Sequence, residues 1–371
     1  MRRPRYRLVA LLLTVVLAAS ACSQPIEIIG EGDVVSQSGT RTCTFEDHQA
    51  GAAACTQNVV TGALDETYRA EPRPGWHFHR WASYCTGATD NTCSFDIPAN
   101  VVELALGQTV PPLVAVFRPD VVTGFDSLFA GHSFFRPFAD GMAVHAPGAG
   151  FTDHTQSVVF SGGASGAPEA LWNNPVKRAE IQAILDDGDV ELFGMTYHPD
   201  YPSLTGYRNW IDEALAANPD TRIFVALPWL PAPASFGAAN FASIWHAAHD
   251  TLFHALIDDL RAEYPGIDIF GIPYGQAAVE LYSLYDAGQL PDVDTLVSST
   301  GDAVFRDAFG HADDILVELG RLVWLRAIYG VDLSTYDHDP GYVTDLKAIA
   351  DAIMDEHDPA YDAPWLAEAG Q

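Results

Sequence analysis

The sequence predicts an α/β domain, built on a five-stranded parallel sheet with helices on both faces, and a small disulfide-bonded all-β domain before it. Three observations support this prediction. Five apolar segments alternate with helix-like segments after residue 124, short segments with Gly- and Pro-rich turns fill residues 26–118, and the four cysteines that follow Cys22 all lie in that earlier part. Apolar runs between helices are typical of parallel strands, because these are buried on both faces.

The first 21 residues have the pattern of an export signal. Four arginines precede an apolar stretch at 8–18, and the small residues Ala19, Ser20 and Ala21 precede Cys22. The pattern resembles a bacterial lipoprotein signal peptide, with Ala19 where leucine is more usual. This resemblance implies cleavage before Cys22 and lipidation of that cysteine, which would anchor the protein to the bacterial membrane, facing the periplasm or the cell surface. Secretion after cleavage nearby is the alternative, and the fold is exported in both cases.

The chain is strongly acidic. It contains 19 Lys and Arg against 49 Asp and Glu, a formal net charge of −30 at pH 7. This charge repels phosphate groups, so nucleic acid is excluded as a partner and attraction to anionic membrane surfaces is disfavoured. The sequence has neither a phosphate-binding loop nor a dinucleotide fingerprint. We therefore expect no cofactor, and we expect a monomer.

The cysteines of the first domain predict two disulfides. Cys43, Cys55, Cys85 and Cys93 form an even set, as is typical of exported domains. Three pairings are possible. We favour Cys43–Cys55 with Cys85–Cys93, because each of these bonds closes a short local loop.

Metal binding is not expected from the spacing of possible ligands. The cysteines do not show the Cys-x2-Cys spacing of a zinc site. His246, His249 and His254 share a helix predicted at 241–264, but they form no i, i+4 pair and have no glutamate nearby. We interpret them as surface or packed histidines.

The first domain carries one distinctive motif. Residues 70–81 read Ala-x-Pro-x-x-Gly-Trp-x-Phe-x-x-Trp, between the two cysteine pairs, and Val-Ala-Val-Phe follows at 114–117. Alternating apolar residues and Gly- and Pro-rich turns predict short strands. The motif resembles the internalin-B-type repeat of bacterial surface proteins, over residues 26–118 of a domain at 22–118. The resemblance implies a spacer or adhesive module without its own chemistry.

The second domain is predicted at 124–358. Its five strands are expected at 125–131, 157–161, 190–197, 222–227 and 267–272. Helices between them are expected at 176–187, 207–217 and 241–264, and a further helix near 343–357. Asn-Pro and Pro-Gly pairs end the second and third of these helices.

Polar residues follow these strands in a suggestive order. Ser133 follows the first strand, Gly162 and Gly163 the second, and Asp307 and His311 lie far downstream. The order resembles the SGNH, or GDSL-like, hydrolases with their flavodoxin-like sheet, over residues 124–330. The resemblance implies that Ser133 is the nucleophile, His311 its base and Asp307 the acid that orients the base. The family acid usually stands three residues before the histidine, where this chain has Ala308, so Asp302 and Asp313 are alternatives.

The resemblance also implies an oxyanion hole. Backbone N–H groups of Ser133 and of Gly163 or Gly162 would hold the oxyanion. The third-strand block reads Gly-Met-Thr-Tyr-His, so Thr196 stands where the family has asparagine, and its hydroxyl or the imidazole of His198 would have to donate instead. The expected function is hydrolysis of an ester or acetyl group, on a small molecule or a glycan, through an acyl-serine intermediate. A surface binding or adhesion protein on a degenerate hydrolase fold is the alternative.

Overall fold

The computed structural model describes residues 22–86, 88, 90–105, 108–300 and 302–368. The predicted signal segment lies outside the described residues. The chain divides between Asp120 and Val121 into two compact units, which we describe in turn. Within the described residues, no helix is long and apolar enough to cross a lipid bilayer.

The first unit contains two three-stranded sheets and one short strand pair. Its strands are β1 Cys22–Ser23, β2 Ile26–Ile29, β3 Gly32–Ser36, β4 Val59–Val60, β5 Leu64–Pro72, β6 Trp76–Trp81, β7 Thr92–Ile97 and β8 Leu113–Pro119. The sheets have the orders β2-β8-β6 and β3-β5-β7, and β1 pairs with β4. Val34, Tyr68, Trp81 and Phe117 are buried in the core of this unit. Cys22 is a free cysteine and is buried.

The two predicted disulfides are confirmed. Cys43 is bonded to Cys55 and Cys85 to Cys93, across 12 and 8 residues of sequence. The prediction of an all-β unit is wrong in one respect, because three short helices are present. They are α1 Phe45–Gln49, α2 Ala53–Thr56 and α3 Ala99–Leu104. The helix α1 begins where the Thr44 hydroxyl accepts the amide N–H of Asp47, a helix cap that strand patterning does not predict.

The second unit contains the predicted parallel sheet of five strands. These strands are β9 Asp126–Gly131, β10 Thr155–Phe160, β11 Leu192–Thr196, β12 Arg222–Ala226 and β13 Ile269–Ile272. Their order in the sheet is β10-β9-β11-β12-β13, and every pair is parallel. From β9 the chain adds β10 on one side of that strand, and then β11, β12 and β13 on the other side. Ligands of open α/β sheets bind at such a switch point, beyond the carboxyl ends of the strands.

Helices cover both faces of this sheet. They are α4 Arg136–Gly148, α5 Pro168–Asn173, α6 Pro175–Leu185, α7 Thr205–Ala217, α8 Ala238–Ala248, α9 His254–Glu263, α10 Gly275–Asp286, α11 Asp314–Tyr329, α12 Leu346–Glu356 and α13 Pro364–Glu368. A short strand pair, β14 Thr295–Val297 with β15 Ala303–Phe305, precedes α11. Phe129 faces one core and its neighbour Leu128 the other, as the alternation of a strand requires.

The helix predicted at 241–264 is not continuous. A π-helical turn at His249–Phe253 separates α8 from α9. A π turn inserts one residue into an α-helix and changes which side chains share a face. The helices α4 and α10 were not predicted from the sequence.

Candidate active site

Ser133 lies at the switch point of the sheet. It follows β9 by two residues, in a turn where the carbonyl oxygen of His132 accepts the amide N–H groups of Phe135 and Arg136. The turn leads directly into α4. The half-buried Ser133 side chain therefore lies beyond the carboxyl edge of the sheet, at a cavity of about 330 Å³.

Three side chains form a hydrogen-bonded relay at this edge. The hydroxyl oxygen of Ser133 lies 2.8 Å from Nε2 of His311. Nδ1 of His311 lies 2.7 Å from Oδ2 of Asp307. If Nδ1 carries the proton shared with the carboxylate, Nε2 is free to accept the Ser133 proton. The relay can therefore convert a serine hydroxyl into a nucleophile.

The acid stands four residues before the histidine because a loop absorbs the extra residue. Oδ1 of Asp307 accepts the amide N–H groups of Gly310 at 3.0 Å and of His311 at 3.1 Å. Gly310 has a φ of +101°, a left-handed conformation that favours glycine. A Cβ atom at Gly310 would lie only 2.7 Å from Cδ of Pro233. The loop thus requires glycine at this position.

Two further contacts hold the His311 loop against the sheet. Nε1 of Trp229 donates to the carbonyl oxygen of Gly310 at 2.9 Å, and the amide of Ala232 donates to Phe309 at 2.8 Å. Both donors follow β12. The segment after β12 therefore holds His311 in place, and a candidate catalytic side chain needs such support.

Asp307 is the acid that contacts the base. Burial by itself would raise the pKa of Asp307, but the hydrogen bonds from His311 and Gly310 outweigh it, and the pKa lies below its ordinary value. The carboxylate is therefore ionised at neutral pH. Among the described residues, neither Asp302 nor Asp313 hydrogen-bonds to His311, so the geometry favours Asp307 over both alternatives.

The neighbouring histidine, His132, has a structural position. It is only 4% exposed. Its Nδ1 accepts the amide N–H of Phe134 at 3.2 Å, so Nε2 carries the proton and donates to the carbonyl oxygen of Tyr197 at 3.1 Å. Burial lowers the pKa of His132 to about 4, and the bond to Tyr197 offsets only part of this effect. A neutral His132 thus joins the end of β9 to the end of β11.

The glycines after β10 face the same cavity from another side. Gly163 lines the cavity and begins a short 3₁₀ turn, Gly163–Gly166, with a φ of +56°. The first amide of a helical turn has no acceptor within that turn and is free to bind a ligand. Gly162 precedes it in extended conformation, and its carbonyl oxygen accepts the hydroxyl of Ser165 at 2.6 Å. The geometry therefore favours Gly163 over Gly162 as an oxyanion donor.

The two candidates in the third block occupy different environments. Thr196 is fully buried, and its hydroxyl oxygen lies 3.3 Å from Nε2 of His132 and 3.4 Å from the carbonyl oxygen of Ala226. It does not line the cavity, so we do not place it in the oxyanion hole. His198 does line the cavity. Its Nδ1 accepts the amide N–H of Asp200 at 3.2 Å, so Nε2 carries the proton as a donor. Burial lowers the pKa of His198, although Asp200 opposes this, which favours the neutral ring.

Five apolar side chains line another part of the cavity. They are Phe134, Pro228, Trp229, Pro231 and Phe309. Phe134 stacks on Trp229 with ring centroids 4.8 Å apart and contacts the His311 ring edge-on at 5.1 Å. Neither Phe134 nor Phe309 was singled out from the sequence. Their only signal is their place in the sequence, since Phe134 adjoins Ser133 and Phe309 lies between Asp307 and His311.

Comparison with known proteins adds little to this geometry. No protein-family description and no curated protein matches the chain. Among solved structures, the periplasmic domain of a lipopolysaccharide acetyltransferase from Salmonella ser. Paratyphi A is 14% identical, with a TM-score of 0.29, over 51% of this chain and 80% of that one. A GDSL-like lipase from Parabacteroides merdae is 14% identical, with a TM-score of 0.33, over 54% of this chain and 94% of that one. Likenesses at these TM-scores carry no argument about fold or activity.

Proposed function

We propose that this protein is a serine acylhydrolase of the SGNH, or GDSL-like, type. The observation that carries the proposal is the relay of Ser133, His311 and Asp307, with distances of 2.8 and 2.7 Å, at the edge of a cavity. The order of these residues along the chain and the sheet order β10-β9-β11-β12-β13 support the family assignment. The substrate is an ester or acetyl group on a small molecule or a glycan.

The reaction proceeds in two steps. His311 Nε2 takes the hydroxyl proton as Oγ of Ser133 attacks the ester carbonyl carbon, and the proton then passes to the leaving alcohol as the C–O bond breaks. Water attacks the resulting acyl-serine, with its proton accepted by His311 and returned to Ser133 Oγ when the carboxylic acid leaves. Asp307 stabilises the imidazolium in both steps. The amides of Ser133 and Gly163, together with His198 Nε2–H, stabilise the oxyanion.

Covalent labelling tests this proposal. A fluorophosphonate probe forms a stable adduct with an activated serine, so we expect one label per chain on Ser133, identified by peptide mass spectrometry. Ser133→Ala should prevent the labelling and abolish hydrolysis of short p-nitrophenyl esters. Ser165→Ala is the matched control, because Ser165 lies in the Gly163–Gly166 turn and is not part of the relay. An unlabelled and inactive wild-type protein would instead favour a surface binding protein.

A second test concerns the oxyanion hole. His198→Ala should lower kcat by about 10²- to 10³-fold, the usual effect of one oxyanion donor, with little change in KM. His246→Ala is the matched control, because it removes an exposed imidazole that does not line the cavity. The measurement is kcat and KM for a single ester, by steady-state kinetics, with the wild type and both variants. If His198→Ala keeps the wild-type kcat, His198 has no such role.

We infer further that the chain is exported, which its basic and apolar first segment and its two disulfides support. Attachment of a lipid to Cys22 requires a local change in structure. The Cys22 side chain is buried, and β1 pairs with β4, so a lipid on its sulfur requires this pair to open. Secretion after cleavage nearby has no such requirement. Fractionation of producing cells into membrane and soluble parts tests the choice.

A further inference from the structure

Three histidines come together far from one another in sequence. His249 begins the π turn after α8, His254 begins α9, and His357 follows α12. Each offers a ring nitrogen, and these three nitrogens lie within 4.8 Å of one another. None of the three residues lines the cavity at Ser133. The cluster is therefore separate from the proposed active site.

The π turn explains why two of these histidines share a face. Side chains five residues apart on an α-helix point about 140° away from each other, because each residue advances the helix by about 100°. The π-helical turn at His249–Phe253 has a wider repeat, which returns His254 to the side of His249. Their ring centroids are 4.7 Å apart. Isolated π turns often occur at functional sites.

Four ring nitrogens of the cluster lack hydrogen-bond partners. Nε2 of His249, Nε2 of His254 and both ring nitrogens of His357 are buried without a protein partner among the described residues. His249 and His357 are only 7% and 6% exposed. Burial of a polar group without a partner is unfavourable, so three such side chains in one place call for a ligand.

The surrounding groups suit a metal ion. The Asp250 carboxylate lies 3.3 Å from Nδ1 of His249, an arrangement that leaves the lone pair of Nε2 for a metal. The His254 ring stacks on Tyr361 with centroids 3.7 Å apart, which fixes its orientation. Oδ1 of Asp362 lies 3.8 Å from Nε2 of His357 and is itself buried without a hydrogen-bond partner. A carboxylate is therefore available beside His357, at the edge of the three-histidine cluster.

A second cluster of possible metal ligands has side chains that are bonded to one another. His145, Glu318 and His338 also lie close together. Their polar atoms are engaged, since Glu318 lies 2.6 Å from Nε2 of His338 and Tyr336 bonds to Nδ1 of His145. We interpret this cluster as a set of ion pairs that stabilises the fold. Its residue His338 provides a control for zinc binding.

We propose that His249, His254 and His357 bind one Zn²⁺ ion, with Asp362 as the fourth ligand. Zinc prefers four ligands in tetrahedral arrangement and accepts imidazole and carboxylate together. Zinc–nitrogen bonds of about 2.0–2.1 Å place two ligand nitrogens about 3.4 Å apart, so the ion would draw together nitrogens that now lie within 4.8 Å of one another. The ion would join the α8–α9 segment to the chain after α12. Because none of its ligands lines the cavity at Ser133, this site is structural and takes no part in the ester hydrolysis.

Zinc titration of the full-length protein, after removal of metal with a chelator, tests the proposal. We expect uptake of one Zn²⁺ per chain and a midpoint of thermal unfolding that rises with free Zn²⁺. Co²⁺ in the same site should give the visible absorption of a tetrahedral complex. His357→Ala should weaken Zn²⁺ binding by more than about 100-fold, because loss of even an outer partner costs 10- to 100-fold.

Three further variants complete the zinc-binding experiment. His254→Gln replaces a less buried ligand and gives the same readout if His357→Ala does not fold. His246→Ala and His338→Ala should bind Zn²⁺ as the wild type does, because His246 is an exposed residue of α8 and His338 belongs to the second cluster. The proposal is overturned if the wild type takes up no Zn²⁺, or if His338→Ala loses the ion while His254→Gln retains it.

Discussion

Alanine at Ser133 should lower kcat for ester hydrolysis by about 10⁴- to 10⁶-fold, and alanine at His311 should do the same. The double variant should be no slower than the slower single variant. The reason is that Nε2 of His311, 2.8 Å from the Ser133 hydroxyl, acts only by removing the proton of that hydroxyl. Once either group is absent, the other has no reaction to assist.

The measurement is kcat for one p-nitrophenyl ester with the wild type, both single variants and the double variant. His246→Ala is the control, because it removes an exposed imidazole outside the relay. A double variant that loses the product of the two single losses would mean that Ser133 and His311 act independently. That outcome would contradict the acyl-serine mechanism.

Asparagine at Asp307 should lower kcat by about 10⁴-fold. Oδ1 of Asp307 accepts two backbone N–H groups, so the amide oxygen of asparagine must take that position. The amide NH₂ then faces Nδ1 of His311 and donates to it. This donation forces the ring proton onto Nε2, where it blocks acceptance of the Ser133 proton. Asparagine should therefore be at least as harmful as alanine at this position.

Kinetics of Asp307→Asn and Asp307→Ala at one pH compare the two effects. Asp302→Asn and Asp313→Asn are matched controls, because each makes the same chemical change in an acid that does not bond to His311. Both should retain most of the activity. If Asp313→Asn loses activity while Asp307→Asn does not, the acid is misassigned.

Much of the second unit could be predicted from the sequence. The five parallel strands are long apolar runs between helix stops, and buried strands of this kind leave a clear signal. Ser133, His311 and Asp307 could be named because each follows a strand or opens a helix in a fixed order. The sequence left open which of Asp302, Asp307 and Asp313 bonds to His311. The contact of Asp307 with His311 depends on the left-handed turn at Gly310.

Other features could not be predicted because they depend on irregular local structure. In a regular α-helix, the five-residue spacing of His249 and His254 would place these side chains on different faces. The π turn brings both onto the same face. His357 joins them from more than a hundred residues away, which no local pattern can show. Similarly, the position of Thr196 suggested an oxyanion donor, but its side chain points into the interior and leaves the cavity to His198.

The separation of Ser133 and His311 along the chain has a consequence for folding. Their hydrogen bond joins residues 178 positions apart, and the His311 loop rests on residues that follow β12. Contacts between such distant residues form after the local ones, because closing a long loop costs conformational entropy first. On the export route that we propose, a chain that has not yet folded therefore has no assembled nucleophile. Esterase activity would begin only where folding is completed, so cellular esters along the route would not be exposed to it.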